Sequence, residues 1–143
     1  MKKDVIINIS SKHKQEGETD RSEFLTEGHL YRKDDKYYLV YNNPIEEFEK
    51  RSVTTVKFNE EDNITLMRSG ETNYQLSLKN QKRSAGQFGL GMSQTLVGTY
   101  ADRVRFKMND NGGWLDLKYS MDNNASTFVE SEIKMKISEQ FKQ

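Results

Sequence analysis

The feature that most constrains this chain is an alternation: in one segment after another, every second residue is apolar and the residues between are polar or charged. Val5, Ile7 and Ile9 begin it, Val56 and Phe58, then Ile64 and Leu66, continue it, and Val129, Ile133, Met135 and Ile137 end it against Glu130, Glu132, Lys134 and Lys136. A period of two is the signature of half-buried β-strands with one face in a core and the other in water. The segments are rich in Val, Ile, Thr, Tyr and Phe and are broken by Gly, Asn or Asp, as hairpin-connected strands are. Ser126 to Ile137 also contains good helix formers, but its strict alternation favours a strand.

Composition matters because it raises an alternative. Only 34% of the 143 residues are hydrophobic and 31% are charged, a balance that can signal disorder. Two-faced strands produce the same balance while keeping an apolar core, and the periodicity decides for them. The 22 basic and 22 acidic residues cancel, which argues against nucleic acid as a partner. No cysteine is present, so thiol nucleophiles, disulfides and thiolate metal sites are excluded. No apolar run approaches the roughly 18 residues of a membrane-spanning helix. Asp4 and the short stretch from Val5 to Ile9 supply no secretory h-region, so a cytoplasmic protein without a membrane partner is expected. Pro44 is the one proline, in keeping with a chain that reserves its N–H groups for β-ladders.

Turn chemistry suggests registers. A two-residue loop at Asn111-Gly112 sets Met108 against Leu115, Phe106 against Leu117 and Val104 against Tyr119. A loop at Asp34-Asp35 pairs Leu30 with Leu39 and lays Tyr41 over Gly28. Glu60-Glu61-Asp62 sets Phe58 against Ile64 and Val56 against Leu66, and Ser69-Gly70-Glu71 would bring Leu66 opposite Tyr74. A further strand runs from about Met92 to Tyr100, and the stretch from Lys79 to Gly91 reads as a bent strand or a mouth loop. So many two-faced strands are best satisfied by closure, which removes the edges. The expected fold is all-β: a single antiparallel up-and-down β-barrel of about eight to ten strands, one domain over residues 1–143.

The run Thr26-Glu27-Gly28-His29-Leu30-Tyr31, then Tyr37-Tyr38-Leu39-Val40-Tyr41, then Arg68-Ser69-Gly70, resembles the DUF1934, or YwiB-like, family of uncharacterised bacterial proteins. The resemblance spans about Val5 to Ile137 and implies a calycin, lipocalin-like barrel. It implies no activity.

Arg68 shares a face with Ile64 and Leu66, which points a guanidinium toward the interior. Such a group either closes a barrel end on acceptors of the protein or recognises an anionic ligand group. Tyr41, Tyr74 and Tyr100, with Tyr37, Tyr119 and Trp114, either fill the core or line a pocket. The expected ligand-binding residues are Arg68, Tyr74, Tyr41 and Tyr100. His13 and His29 have no metal-ligand spacing and read as exposed, so neither metal nor cofactor is expected. The paired carboxylates Asp34-Asp35, Glu46-Glu47 and Glu60-Glu61 fall in loops. The glycines from Gly86 to Gly91 lack the Lys-Ser/Thr of a phosphate loop, and no catalytic set can be named. Lys79, Lys82, Arg83, Arg103, Arg105 and Lys107 read as the wet side of strands. The function expected is binding of a small apolar or amphipathic ligand inside the barrel. The alternative is a protein-interaction module using an outer face, with no ligand.

Overall fold

A computed structural model describes residues 1–43, 51–60, 62–70, 72–90, 93–123 and 126–141. Pro44, Glu46, Glu47, Glu61, Glu71, Gly91 and Met92, singled out above, lie outside them. Ten strands are formed: β1 Lys2–Gln15, β2 Glu18–Lys33, β3 Lys36–Asn42, β4 Val53–Phe58, β5 Asn63–Ser69, β6 Thr72–Lys79, β7 Arg83–Leu90, β8 Ser93–Asn109, β9 Gly112–Asp122 and β10 Thr127–Glu139. Each pairs antiparallel with its neighbours in sequence, and β1 pairs with β10, so the meander closes into a barrel. Among the described residues no helix is long and apolar enough to cross a membrane.

The alternation becomes the core directly. Val5, Ile7, Leu30, Leu39, Val56, Ile64, Leu76, Leu78, Val104 and Leu117 are fully buried, while Leu25, on the other face of β2, is 67% exposed. Burying one such aliphatic side chain contributes about 1.5–3 kcal/mol. Asp34 and Asp35 both adopt positive φ, 53° and 63°, as a type I′ hairpin requires. The expected pairs Leu30 with Leu39 and Tyr41 with Gly28 follow. A Cβ on Gly28 would lie 2.6 Å from the Val40 carbonyl oxygen and 3.2 Å from Tyr41 Cβ, so the strands approach too closely for any other residue. Phe58 faces Ile64 and Val56 faces Leu66, also as expected.

Three expected registers are corrected. The β8–β9 turn occupies Asp110-Asn111 rather than Asn111-Gly112, because Asn109 Oδ1 accepts the Asn111 N–H at 2.8 Å and turns the chain one residue earlier. Positive φ then falls on Gly112 and Gly113, and Phe106 faces Leu115 while Val104 faces Leu117. In the β5–β6 hairpin the last register pair is Arg68 with Tyr74, so Leu66 faces Leu76 rather than Tyr74. Both slips are by two residues, which leaves every side chain on its expected face. The third correction changes faces. The strand expected to end near Tyr100 continues to Asn109, with a bulge between Ala101 and Arg103. The β6–β7 turn docks on that bulge: Gln81 N–H donates to the Ala101 carbonyl at 2.7 Å, and Asn80 Oδ1 accepts from the Val104 N–H at 2.9 Å. The extra residue inverts the phase, so Thr99 and Ala101 point inward and Tyr100 outward.

Candidate functional site

Hairpins alternate between two barrel ends. The lower end carries the turns at residues 34–35, 80–82 and 110–111; the upper end carries the turn at 16–17 and the β5–β6 and β9–β10 connections. At the lower end aromatic packing forms the floor of an open surface hollow of about 430 Å³, lined by Tyr37, Phe58, Phe106 and Met108 among others. Phe58 meets Phe106 edge-on at 5.1 Å, and Tyr37 donates its hydroxyl to Asp110 Oδ1 at 2.6 Å. At the upper end the same inward positions change chemistry. Tyr41, Thr54, Arg68, Tyr74 and Phe88 follow one another in register across β3 to β7, and His13, Ser131 and Tyr119 do so across β1, β10 and β9.

These two arcs face a cavity of about 430 Å³ at the barrel mouth. Ile9, Phe24, Leu66 and Ile133 give it an apolar wall, and Arg68, Tyr41, Tyr74 and Tyr119 its polar groups, with Glu23, Asn43 and His13 nearer the rim. Below it, Leu66 and Leu76 are buried, so the cavity is a shallow cup rather than a tunnel through the barrel. The wall is tied together by hydrogen bonds. Asn43 Nδ2 donates to Ser52 Oγ at 2.9 Å and Thr54 Oγ1 at 2.8 Å, and Thr54 also bonds Tyr41. His13 Nδ1 and Ser131 Oγ are 2.7 Å apart, and Ser131 also bonds Tyr119. Tyr74 stacks on Phe88 at 6.2 Å, and Phe88 meets Phe128 edge-on at 6.5 Å.

Electrostatically the cup holds the Arg68 cation among neutral phenols, with the Glu23 carboxylate at its rim. Burial pushes the Tyr41 and Tyr119 hydroxyls far above their ordinary range, and Tyr74 is raised for the same reason against the opposing charge and hydrogen bond of Arg68. All three therefore remain protonated donors at neutral pH, and Arg68 donates to the Tyr74 oxygen. His13 titrates below its ordinary range, first because of burial and then because of the Arg68 charge, while Asp20 pulls the other way. Near neutral pH the imidazole adds no charge. A guanidinium fork, protonated hydroxyls and an apolar wall form a surface suited to a small molecule with an acceptor-rich or anionic head. Among the described residues no three His, Cys, Asp or Glu side chains converge to hold a metal ion.

Of the expected site residues, Arg68, Tyr74 and Tyr41 meet at this cup. Tyr100 does not: the bulge after it turns it to the outer face, where it is 38% exposed. Tyr37 belongs to the lower end, and Trp114 lies outside at 44% exposure. His13, expected to be exposed, is exposed, and it lines the rim of the cup. The alternation of Val5, Ile7 and Ile9, extended along β1, is the signal that leads to it. Arg83 and Arg103, expected on wet faces, are there, held by Asp122 at 2.6 Å and by Asp116 and Glu132 at 2.9 and 3.1 Å.

Comparison with known proteins agrees with this architecture. The sequence profile of the domain of unknown function DUF1934 matches residues 7–137. The crystal structure of the YwiB protein from Bacillus subtilis superposes with a TM-score of 0.81 at 18% identity, covering 98% of this chain and 94% of that one. At that identity the likeness concerns the fold alone. Ail, the attachment invasion locus protein of Yersinia pestis, aligns over 98% of this chain and 97% of its own at 12% identity, but with a TM-score of 0.33, too low to carry an argument. No curated protein matches the sequence.

Proposed function

We propose that this chain, which belongs to the DUF1934 family, binds a small amphipathic ligand in the cup at the upper end of its barrel. Arg68 and the Tyr74 hydroxyl hold the polar head, Tyr41 and Tyr119 orient it, and Ile9, Phe24 and Ile133 take the apolar part. The observation that carries this reading is the replacement of apolar inward residues by one cation and three protonated phenols around a cavity of about 430 Å³, near the small end of the roughly 300–1,000 Å³ usual for ligand sites. The filled core beneath excludes a long acyl chain threaded along the barrel axis. The ligand must be short, with its head group near the mouth.

Titration with benzoate and with its neutral isostere benzamide, followed by amide chemical shifts, tests the reading. Benzoate is expected to shift the amides around Arg68, Tyr74 and Tyr119, and benzamide to bind more weakly. Neither probe shifting those amides would overturn the site; equal binding of both would overturn the role given to Arg68.

A further inference from the structure

Strand β2 has one complete edge and one that is half open. It pairs with β1 from Glu18 to Tyr31, but with β3 only from Gly28 to Lys33. From Glu18 to Thr26 its β3 side meets no strand among the described residues, and the side chains there are exposed except for half-buried Phe24 and Thr26. The two tight turns that flank β2 fix which backbone groups face that side. Residues bordering a two-residue hairpin loop exchange both their hydrogen bonds, so Glu18 turns toward Gln15 of β1 and Lys33 toward Lys36 of β3. Even-numbered residues of β2 therefore address β1, as the bond from the Arg32 N–H to the Met1 carbonyl at 3.2 Å confirms. Odd-numbered ones address the other side, and at Thr19, Arg21, Glu23 and Leu25 that side is open.

We infer that this open edge takes the same edge of a second copy of the chain, antiparallel about a two-fold axis at Ser22, so that one sheet runs from barrel to barrel. An unpaired strand edge is matched by another extended backbone, whose N–H and C=O groups repeat at the same spacing. What selects the chain itself is the order of its charges. The stretch from Glu18 to Thr26 overlaps fully with its own reverse in a single register, the one centred on Ser22. That register sets Arg21 against Glu23 of the second copy, twice over, Thr19 against Leu25 and Asp20 against Phe24, with no like charges opposite one another. Centring it on Arg21 or Glu23 would set that residue against itself, and a peptide of uniform charge would oppose like charge to one of the two. Leu25, 67% exposed, gains a neighbour across the new ladder. The open stretch contains no Pro, Gly or bulge to obstruct an added strand. A formal net charge of zero leaves no long-range repulsion between copies. One ladder buries little area, so the dimer is weak and reversible. The pairing requires no ligand in the cup.

Sedimentation velocity over a concentration series, with charge reversal at the two central positions, tests it. Wild type is expected to pass from monomer to dimer as concentration rises toward about 1 mM. Arg21→Glu alone sets like charges opposite one another and should weaken association by about tenfold or more. Adding Glu23→Arg restores opposite charges and should return association to within about threefold of wild type. Arg21 lies opposite Lys12 on β1, so its reversal introduces an opposite-charge pair within the chain and the variant folds. Glu23→Pro provides a second check: it removes an N–H that faces the open side and none that serves β1, and should abolish the dimer. A wild type monomeric to about 1 mM overturns the inference. So does a dimer that Arg21→Glu leaves intact, or one that the double reversal fails to restore.

Discussion

At the lower end of the barrel Phe58 closes on Phe106 at 5.1 Å beside fully buried Ile64 and Leu78; at the upper end the equivalent inward positions hold Tyr41, Thr54, Arg68 and Tyr74 around a cavity. The same strands supply both ends: β5 carries Ile64 below and Arg68 above, and β6 carries Leu78 below and Tyr74 above. A period-two pattern fixes which face a residue takes but not what that face does along its length. The difference lies in the last inward residue or two of each strand, where aliphatic side chains give way to groups that must find hydrogen-bond partners. The lower end closes on aromatic rings beneath an open hollow, and the upper end surrounds its cavity with hydrogen-bonding groups.

Substitutions should separate the ends by their cost. Phe58→Ala removes a ring that is 2% exposed and should lower the unfolding free energy by about 3–5 kcal/mol in a denaturant titration. A loss below about 1 kcal/mol would show the lower end to be less tightly packed than these contacts indicate. Gly28→Val, midway between the ends, forces a side chain against the Val40 carbonyl, Ile7 and Tyr41 and should cost about 1–3 kcal/mol; an unchanged melting temperature would contradict the β2–β3 register. Arg68→Met, at the upper end, replaces a cation held among phenols by a side chain of similar length. Stability should change by less than about 1 kcal/mol, in either direction, while benzoate binding is lost. A collapse of the fold in this variant would make Arg68 a structural keystone instead of a ligand group.

The smallest effect is on pH. Folding lowers the His13 pKa, so as the medium is acidified through the ordinary histidine value of 6.5 the unfolded chain takes up a proton that the folded chain does not yet bind. The folded state should lose stability between that pH and the lower folded value, and His13→Gln should flatten this part of the profile in thermal melts from pH 7.5 to pH 5. An identical pH dependence in the two proteins would remove His13 from the electrostatics of the cup.

Legibility in the sequence follows the physics of each feature. The barrel was readable because alternation is a property of the side chains themselves, and the Asp34-Asp35 hairpin because its turn needs residues that tolerate positive φ. The polar lining of the upper cavity was readable through Arg68, the cation that breaks an otherwise apolar face, and through its neighbours Tyr74 and Tyr41. What escaped was set by contacts remote in sequence. The bulge at Ala101 to Arg103 exists where the turn at Asn80 and Gln81 docks, and no local pattern in Tyr100-Ala101-Asp102 announces it. Tyr100 was therefore assigned to the wrong face. His13 is exposed as expected, but its place at the rim was hidden because its strand continues past the last apolar residue, where polar residues such as Ser11 conceal the phase.

The most direct test of the upper end as a ligand site is a native mass spectrum of the protein isolated from its own host, with Arg68→Met prepared in parallel. A discrete small-molecule adduct on wild type, released on denaturation and missing from the variant, is the expected result; the bare polypeptide mass in both would contradict it.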